Sequence, residues 1–189
     1  MKKIAIFASG NGSNAQCIAE YFKNSPNIEV SLILSNKPDA YVLKRAVSLG
    51  IPYLYFNRDE FYQSSKILDE LTNNNIDFIV LAGFLWLVPQ NILQYFNQRI
   101  VNIHPALLPK YGGKGMYGDK VHEAVIENQE KETGISIHWV NEEYDEGRII
   151  FQGKVPVEPS DTPESIAGKV HQLEYKHYPE VIEQVVLKL

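Results

Sequence analysis

The sequence predicts an α/β fold: an open, mostly parallel sheet with helices on both faces and an antiparallel extension at its C-terminal end. Three features carry that reading. The short apolar runs KIAIFA (Lys3–Ala8), VSLIL (Val30–Leu34) and DFIVLA (Asp77–Ala82) have the length and continuity of strands buried on both faces. Stretches with apolar residues at helical spacing separate them, as parallel crossovers require. After the fifth helical stretch the pattern changes to two strand-like runs joined by an acidic loop, which fits a hairpin.

In chain order, the first strand ends at Ala8 and a tight Ser-Gly-Asn-Gly-Ser-Asn loop follows. From Asn14 the spacing of Cys17, Ile18, Tyr21 and Phe22 is helical, until Asn24-Ser25-Pro26 stops it. The second strand is Val30–Leu34, and the second helix is Ala40–Leu49, closed by Gly50 as a C-terminal cap. Tyr53–Phe56 reads as a short third strand. Glu60–Asn73 reads as one helix with Phe61, Ile67, Leu68 and Leu71 inward. Asp77–Ala82 is the fourth strand, Pro89–Phe96 a helix with proline at its first position, and Arg99–Ile103 the fifth strand. Asp119–Asn128 is a helix, and Ile135–Val140 and Ile149–Val157 are the hairpin strands around the loop Asn141–Gly147. Thr162 caps a last helix with Pro163 at N1 and Ile166, Val170 and Leu173 inward; Pro179 is expected to kink it or to start a new segment.

The chain has 189 residues, enough for one domain, residues 1–189, with a sizeable core. No repeat, linker or low-complexity stretch divides it. Net charge is −5 and the basic residues form no run, which argues against a nucleic-acid-binding surface. The one cysteine, Cys17, excludes an intrachain disulfide framework and a CxxC site, and it reads as a small packing residue on the first helix. The apolar run at the N-terminus is too brief for a signal-peptide core, and no run approaches the roughly 18 residues of a membrane span. A cytoplasmic protein without a membrane partner is the expectation.

Two stretches carry chemistry. Ser9-Gly10-Asn11-Gly12-Ser13-Asn14-Ala15 lies between the first strand and the first helix, where helix amides and the helix dipole attract anions. Gly10, Gly12 and Ala15 fit the G-x-G-x-x-G/A spacing of a Rossmann-like dinucleotide site. The second strand nevertheless ends in Ser35-Asn36-Lys37, without the acid that would hold a ribose. Ser13 and Asn14 add side-chain donors, which suits one phosphomonoester better than a pyrophosphate. The alternative is a glycine turn with an Asn cap and no ligand.

The second stretch is Val101-Asn-Ile-His-Pro-Ala-Leu-Leu-Pro-Lys110. Asn102 and His104 project to the same side of an extended chain, and Pro105 ends the strand. Asp145, in Glu142-Glu-Tyr-Asp-Glu-Gly147, is the candidate partner, with Gly147 expected to turn the backbone so that its carboxylate faces inward. A carboxylate beside an imidazole favours the imidazolium, and an imidazolium with an amide makes a donor pair for a developing oxyanion. That is equipment for acyl transfer without a covalent enzyme intermediate. No serine sits in a G-x-S-x-G context, and Ile126 spoils an H-E-x-x-H zinc motif at His122. His138 lies in a strand, as an orienting group or a satisfied core residue. His171 and His177 read as ordinary helix-surface residues.

FASGNGSN (7–14), LAGF (81–84), VNIHPALLPKYGG (101–113), TGISIHWV (133–140) and YDEGRII (144–150) resemble the folate-dependent formyltransferases. The GNGSN loop is similar to that of their phosphoribosylglycinamide (glycinamide ribonucleotide) branch. The resemblance runs nearly end to end. It implies transfer of formyl from 10-formyltetrahydrofolate, a co-substrate, to the amine of 5-phosphoribosylglycinamide, without a metal. By that resemblance Gly12, Ser13 and Asn14 would hold the ribose 5-phosphate, Gly83 and Pro105 would line the amine end, and Glu174 would contact the ribose. The folate would lie against Leu85, Trp86, Leu87 and Val88, Asn102, and the loop Asn141–Asp145, with Arg58 on its glutamate tail. Asn102 and His104 would polarise the formyl oxygen, His104 would donate the proton, and Asp145 would raise the pKa of His104 and relay the amine proton through water. Small-molecule substrates, no nucleic acid, and a monomer or weak homodimer follow from the same likeness.

The sequence departs from the family in two places: the stretch after LAGF commonly carries an arginine where Trp86 stands, and Gly112–Asp119 differs. A formyltetrahydrofolate deformylase is the alternative activity, but those enzymes carry an extra N-terminal regulatory domain for which this length leaves no room. A methionyl-tRNA formyltransferase would need a C-terminal RNA-binding domain and a basic surface. A binding module without catalysis would leave Asn102, His104 and Asp145 together by accident.

Overall fold

The computed structural model describes residues 1–189. Seven strands form one sheet in the order β3-β2-β1-β4-β5-β6-β7. They are β1 (Lys2–Phe7), β2 (Ile28–Ser35), β3 (Tyr53–Tyr55), β4 (Phe78–Leu81), β5 (Ile100–His104), β6 (Glu132–Trp139) and β7 (Ile149–Pro156). The first five pair in parallel; β6 runs antiparallel to β5, and β7 antiparallel to β6. The expected α/β sheet with its antiparallel extension is therefore the observed one. Its central strands are apolar on both sides, β4 being buried throughout (Phe78, Ile79, Val80, Leu81), so helices must cover both faces.

They do. On one face α1 (Ser13–Phe22), α2 (Tyr41–Leu49) and α7 (Pro163–Val186) pack Ile18, Val42, Val170 and Ile182 against Ile4, Ile6, Val80 and Val101, with α6 (Asp119–Glu127) at the edge of this layer. On the other, α3 (Arg58–Tyr62), α4 (Lys66–Asn73) and α5 (Gln90–Tyr95) pack Phe61, Leu71 and Ile92 against Phe7, Ile79 and Ile100. No helix is long and apolar enough to cross a membrane.

Most boundaries shift by at most three residues, with Pro89 capping α5 rather than opening it; two larger differences stand apart. The expected single helix 60–73 is two, α3 and α4. An Asn57–Glu60 capping box starts α3 early: the Asn57 side chain accepts from the Glu60 amide at 3.0 Å, and the Glu60 carboxylate accepts from the Asn57 amide at 2.8 Å. Ser64 and Ser65 then break the chain, because their hydroxyls bond locally, Ser64 to the Glu60 carbonyl at 2.9 Å and Ser65 to Asp69 at 2.6 Å. The second difference is Pro179, which starts no new segment: α7 continues through it. Proline inside a helix costs about 3 kcal/mol, and the flanking contacts offset it. Pro179 and Tyr178 are buried, and the Tyr178 hydroxyl donates to the Leu81 carbonyl at 2.8 Å.

Strand order reverses at β1: the chain goes outward to β2 and β3, then returns to β4 on the other side. The crevice at the C-terminal ends of β1 and β4 is the place where open α/β sheets bind ligands.

Candidate active site

A cleft of about 650 Å³ opens at that crevice and runs from the loop after β1 to the end of β5. It has two chemically distinct ends. The first is the glycine loop. Gly12 caps α1 in a left-handed conformation, φ 76°, with no side-chain cap bond, so the first amides of the helix remain for a ligand. The Val42 amide on α2 donates to the Gly10 carbonyl at 3.1 Å, which presses α2 against the loop. A Cβ on Gly12 would lie 2.4 Å from Val42 Cγ2. Arg45 braces the outside of the loop, donating to the Asn11 carbonyl at 2.9 Å and to the Asn11 side chain at 2.6 Å. Ser9 joins the loop to the one after β4: its amide donates to the Gly83 carbonyl at 2.9 Å and its hydroxyl accepts from the Leu85 amide at 3.0 Å. Sequence reasoning missed Ser9, whose buried hydroxyl carries no motif. Asn14 donates to Glu174 on α7 at 2.8 Å. Burial pushes the Glu174 carboxyl above its ordinary value, against the Asn14 bond and the nearby His171. Gly12, Ser13, Asn14, Gly83, Pro105 and Glu174 thus all line one cleft.

The second end is built from side chains. In the β5–β6 register Asn102 pairs with His138 and His104 with Ser136. Asp145 comes in from the β6–β7 connection. Its Oδ2 is 3.4 Å from His104 Nδ1, its Oδ1 accepts from Asn102 Nδ2 at 3.3 Å, and the Gly113 amide donates to Oδ2 at 3.0 Å. Asn102 Nδ2 also lies 3.1 Å from His138 Nε2. The Trp139 carbonyl, 2.9 Å from His138 Nδ1, can only accept, so Nδ1 carries a proton and donates there, and Nε2 faces the Asn102 amide as its acceptor. His138 thereby orients the Asn102 amide. His104 Nε2 donates to the Tyr111 carbonyl at 2.7 Å.

Gly147 acts differently from the expectation. The left-handed residue of that loop is Asp145 itself, φ 58°. Gly147 is required for close approach, since a Cβ there would lie 1.6 Å from the Trp139 carbonyl oxygen.

Two opposed effects act on His104. Burial pushes the His104 pKa below its ordinary value; the Asp145 charge and the Tyr111 carbonyl push it up but do not win. Asp145 therefore raises the pKa of His104 only relative to a site without the carboxylate. Burial also acts to raise the Asp145 carboxyl, but the His104 ring when protonated and the Gly113 amide hold it below the usual carboxylate range. Asp145 is an anion at neutral pH. In the free site these groups satisfy one another, and a carbonyl group entering between Asn102 and His104 would take over donors now spent inside the protein.

Between the two ends, Leu85, Trp86, Leu87 and Val88 form an apolar wall with Val140. Trp86 packs on Phe56, Phe61 and Tyr62 with ring centroids near 6 Å (6.1, 5.9 and 5.9 Å) and still borders the cleft. Arg58 is not in the main cleft. It borders a neighbouring hollow with Lys114 and Tyr144, its guanidinium 4.9 Å from the Tyr62 ring and 5.5 Å from that of Trp86. Gly113, Lys114 and Tyr117, from the stretch that departs from the family pattern, line the cleft. Cys17 lies outside the cleft, its thiol 3.4 Å from the Tyr175 carbonyl. No cluster of three His, Cys, Asp or Glu side chains is arranged to hold a metal.

Known proteins match this chain along its length. A family model described as "Formyl transferase" matches residues 2–182. The Arabidopsis thaliana protein named phosphoribosylglycinamide formyltransferase, chloroplastic, is 46% identical over 187 residues, 96% of this chain and 64% of that one. Its namesake in Vigna unguiculata is 41% identical over 60% of its own length, so this chain spans about two thirds or less of these chloroplastic relatives. The Bacillus subtilis phosphoribosylglycinamide formyltransferase is 37% identical, with 98% of this chain and 95% of that one covered. The crystal structure of the protein of that name from Bacillus halodurans superposes with a TM-score of 0.87 at 36% identity, covering 98% of this chain and 95% of that one.

Proposed function

The chain belongs to the formyl transferase family, and on that premise we propose that it moves the formyl group of 10-formyltetrahydrofolate onto the amine of 5-phosphoribosylglycinamide. The products are formylglycinamide ribonucleotide and tetrahydrofolate, a step of purine synthesis, carried out by one domain, residues 1–189, in the cytoplasm. The observation that carries the reading is the meeting of Asn102, His104 and Asp145 at one end of a cleft whose other end is the glycine loop. The names of the relatives favour transfer to the ribonucleotide over hydrolysis.

Gly12, Ser13 and Asn14 hold the 5-phosphate with loop and helix amides, and Glu174 accepts from the ribose hydroxyls. Leu85, Trp86, Leu87 and Val88 cover the pteridine, and Arg58 meets the carboxylates of the folate tail at the outer hollow. The glycinamide nitrogen, lined by Gly83 and Pro105, attacks the formyl carbon. A C–N bond forms and the carbonyl electron pair moves to oxygen, where Asn102 and His104 donate hydrogen bonds. Such donors are worth about 3–4 kcal/mol when aimed at a developing oxyanion. Collapse of that centre breaks the bond from the formyl carbon to the folate nitrogen. Asp145, ionised, takes the amine proton through water and passes it to His104, 3.4 Å away, which supplies it to the leaving nitrogen. The chain works as a monomer or a weak homodimer, with no nucleic-acid partner.

A turnover assay following tetrahydrofolate release tests this. Release that requires 5-phosphoribosylglycinamide is expected. Equal release without the ribonucleotide would make the enzyme a deformylase.

A further inference from the structure

One polar group in the cleft is not used above. His122 lies on α6, is 3% exposed, and lines the cleft. No hydrogen bond within the protein reaches its ring, and its Nδ1 is fully enclosed without a partner. Buried ring nitrogens are ordinarily bonded, because leaving one unpaired costs about 1–3 kcal/mol. Nδ1 being enclosed, Nε2 is the ring nitrogen left to meet a ligand, and with the proton on it the ring donates there. The ionisable groups that act on His122 are His171, Asp119 and His104. Burial and the two histidines push its pKa down, so the ring is neutral at pH 7 and still donates from Nε2.

Its surroundings identify the ligand. His171, on the face of α7 that meets the cleft, stacks on Tyr175 with a centroid distance of 5.9 Å. One turn along α7 from His171, Glu174 holds Asn14 of the glycine loop at 2.8 Å. The Asn14 Oδ1 is likewise buried without a partner. Two imidazoles, the Asn14 amide and a carboxylate therefore line one cleft with the glycine loop. Such a set matches a ligand part that presents both hydroxyls and anionic oxygens.

We infer that His122, with His171 beside it, is part of the ribonucleotide site and donates from Nε2 to an oxygen of the phosphoribosyl group. This rests on the function proposed above and adds to it a contact outside the glycine loop. His122 is a binding and orienting residue: it fixes where the glycinamide amine stands relative to Asn102 and His104.

The test is steady-state turnover by the full chain, varying each substrate separately, with a thermal melt of every variant. His122→Leu should raise the ribonucleotide KM by about tenfold or more, the loss of one hydrogen bond to a charged group, and leave the folate KM within about twofold. His122→Gln, whose amide nitrogen reaches the place of Nε2, should stay within about threefold of the parent. His171→Ala, at an exposed position, should raise the same KM by about threefold. An unchanged ribonucleotide KM in His122→Leu, or equal rises in both KM values, would overturn the inference. Should His122→Leu not fold, NMR decides: the His122 ring Cε1–H resonance of the parent, assigned by its loss in His122→Gln, should move on saturation with ribonucleotide alone. A resonance that stays in place overturns the inference. A parent without turnover removes the proposed function instead, and the ribonucleotide titration still reports on His122.

Discussion

The two ends of the cleft are made in opposite ways. At the glycine loop the binding groups are main-chain amides within one short stretch, aimed by a left-handed Gly12 and the start of α1. At the reacting end they are side chains from β5, β6 and the β6–β7 connection, with separations such as 43 residues between Asn102 and Asp145. The loop end depends first on backbone shape, with Asn14 and Glu174 as supporting side chains. The reacting end depends first on a few side chains, which the Tyr111 carbonyl and the Gly113 amide hold in place.

That contrast can be broken from either side. The largest effect is expected from Asn102→Ala, which should lower kcat by about 100-fold or more through loss of one oxyanion donor, with the ribonucleotide KM nearly unchanged. Turnover within threefold of the parent would take Asn102 out of the chemistry. Gly12→Ala should do the reverse. Its Cβ would meet Val42 Cγ2 at 2.4 Å, Val42 Cβ at 2.5 Å and Val42 Cα at 2.9 Å, at φ 76°. The ribonucleotide KM should rise by about tenfold, and the fold should lose about 1–3 kcal/mol in denaturant titration. Adding Val42→Ala should not restore it, because the backbone clash and the left-handed φ remain. If it does, the loop end depends on side-chain packing and the contrast fails.

The smallest and most specific effect concerns pH. The Asp145 carboxylate opposes the burial that pushes the His104 pKa down. Removing the charge in Asp145→Asn should lower that pKa further, so the limb of the kcat/KM profile set by His104 should move to lower pH. An Asn at this position can still accept from Gly113, which separates charge from loop structure. A limb that stays in place would show that Asp145 acts on His104 by position alone.

The loop end was legible because everything it needs is local. Gly12, Ser13 and Asn14 follow a buried strand and open a helix, and that order alone suggests an anion site. Asn102 and His104 were legible for the same reason, being two residues apart on one strand. Their company was not. The Tyr111 carbonyl on His104, the Gly113 amide on Asp145 and the Asn102–His138 contact depend on β5–β6 register and on loop conformation, and no spacing rule encodes them. The α3–α4 break was missed because Phe61, Ile67, Leu68 and Leu71 keep helical spacing across it, while two serine hydroxyls stop the helix. His122 was set aside with its failed zinc motif, since only three dimensions show a ring enclosed without a partner.

By itself the sequence determined the layered α/β order and the anion loop, since runs of apolar residues and glycine placement are set by nearest neighbours along the chain. Only the tertiary structure decided the protonation bias of His104 and the orientation of Asn102. Burial and charge depend on which distant segments are packed into the same small volume, and that is a property of the fold.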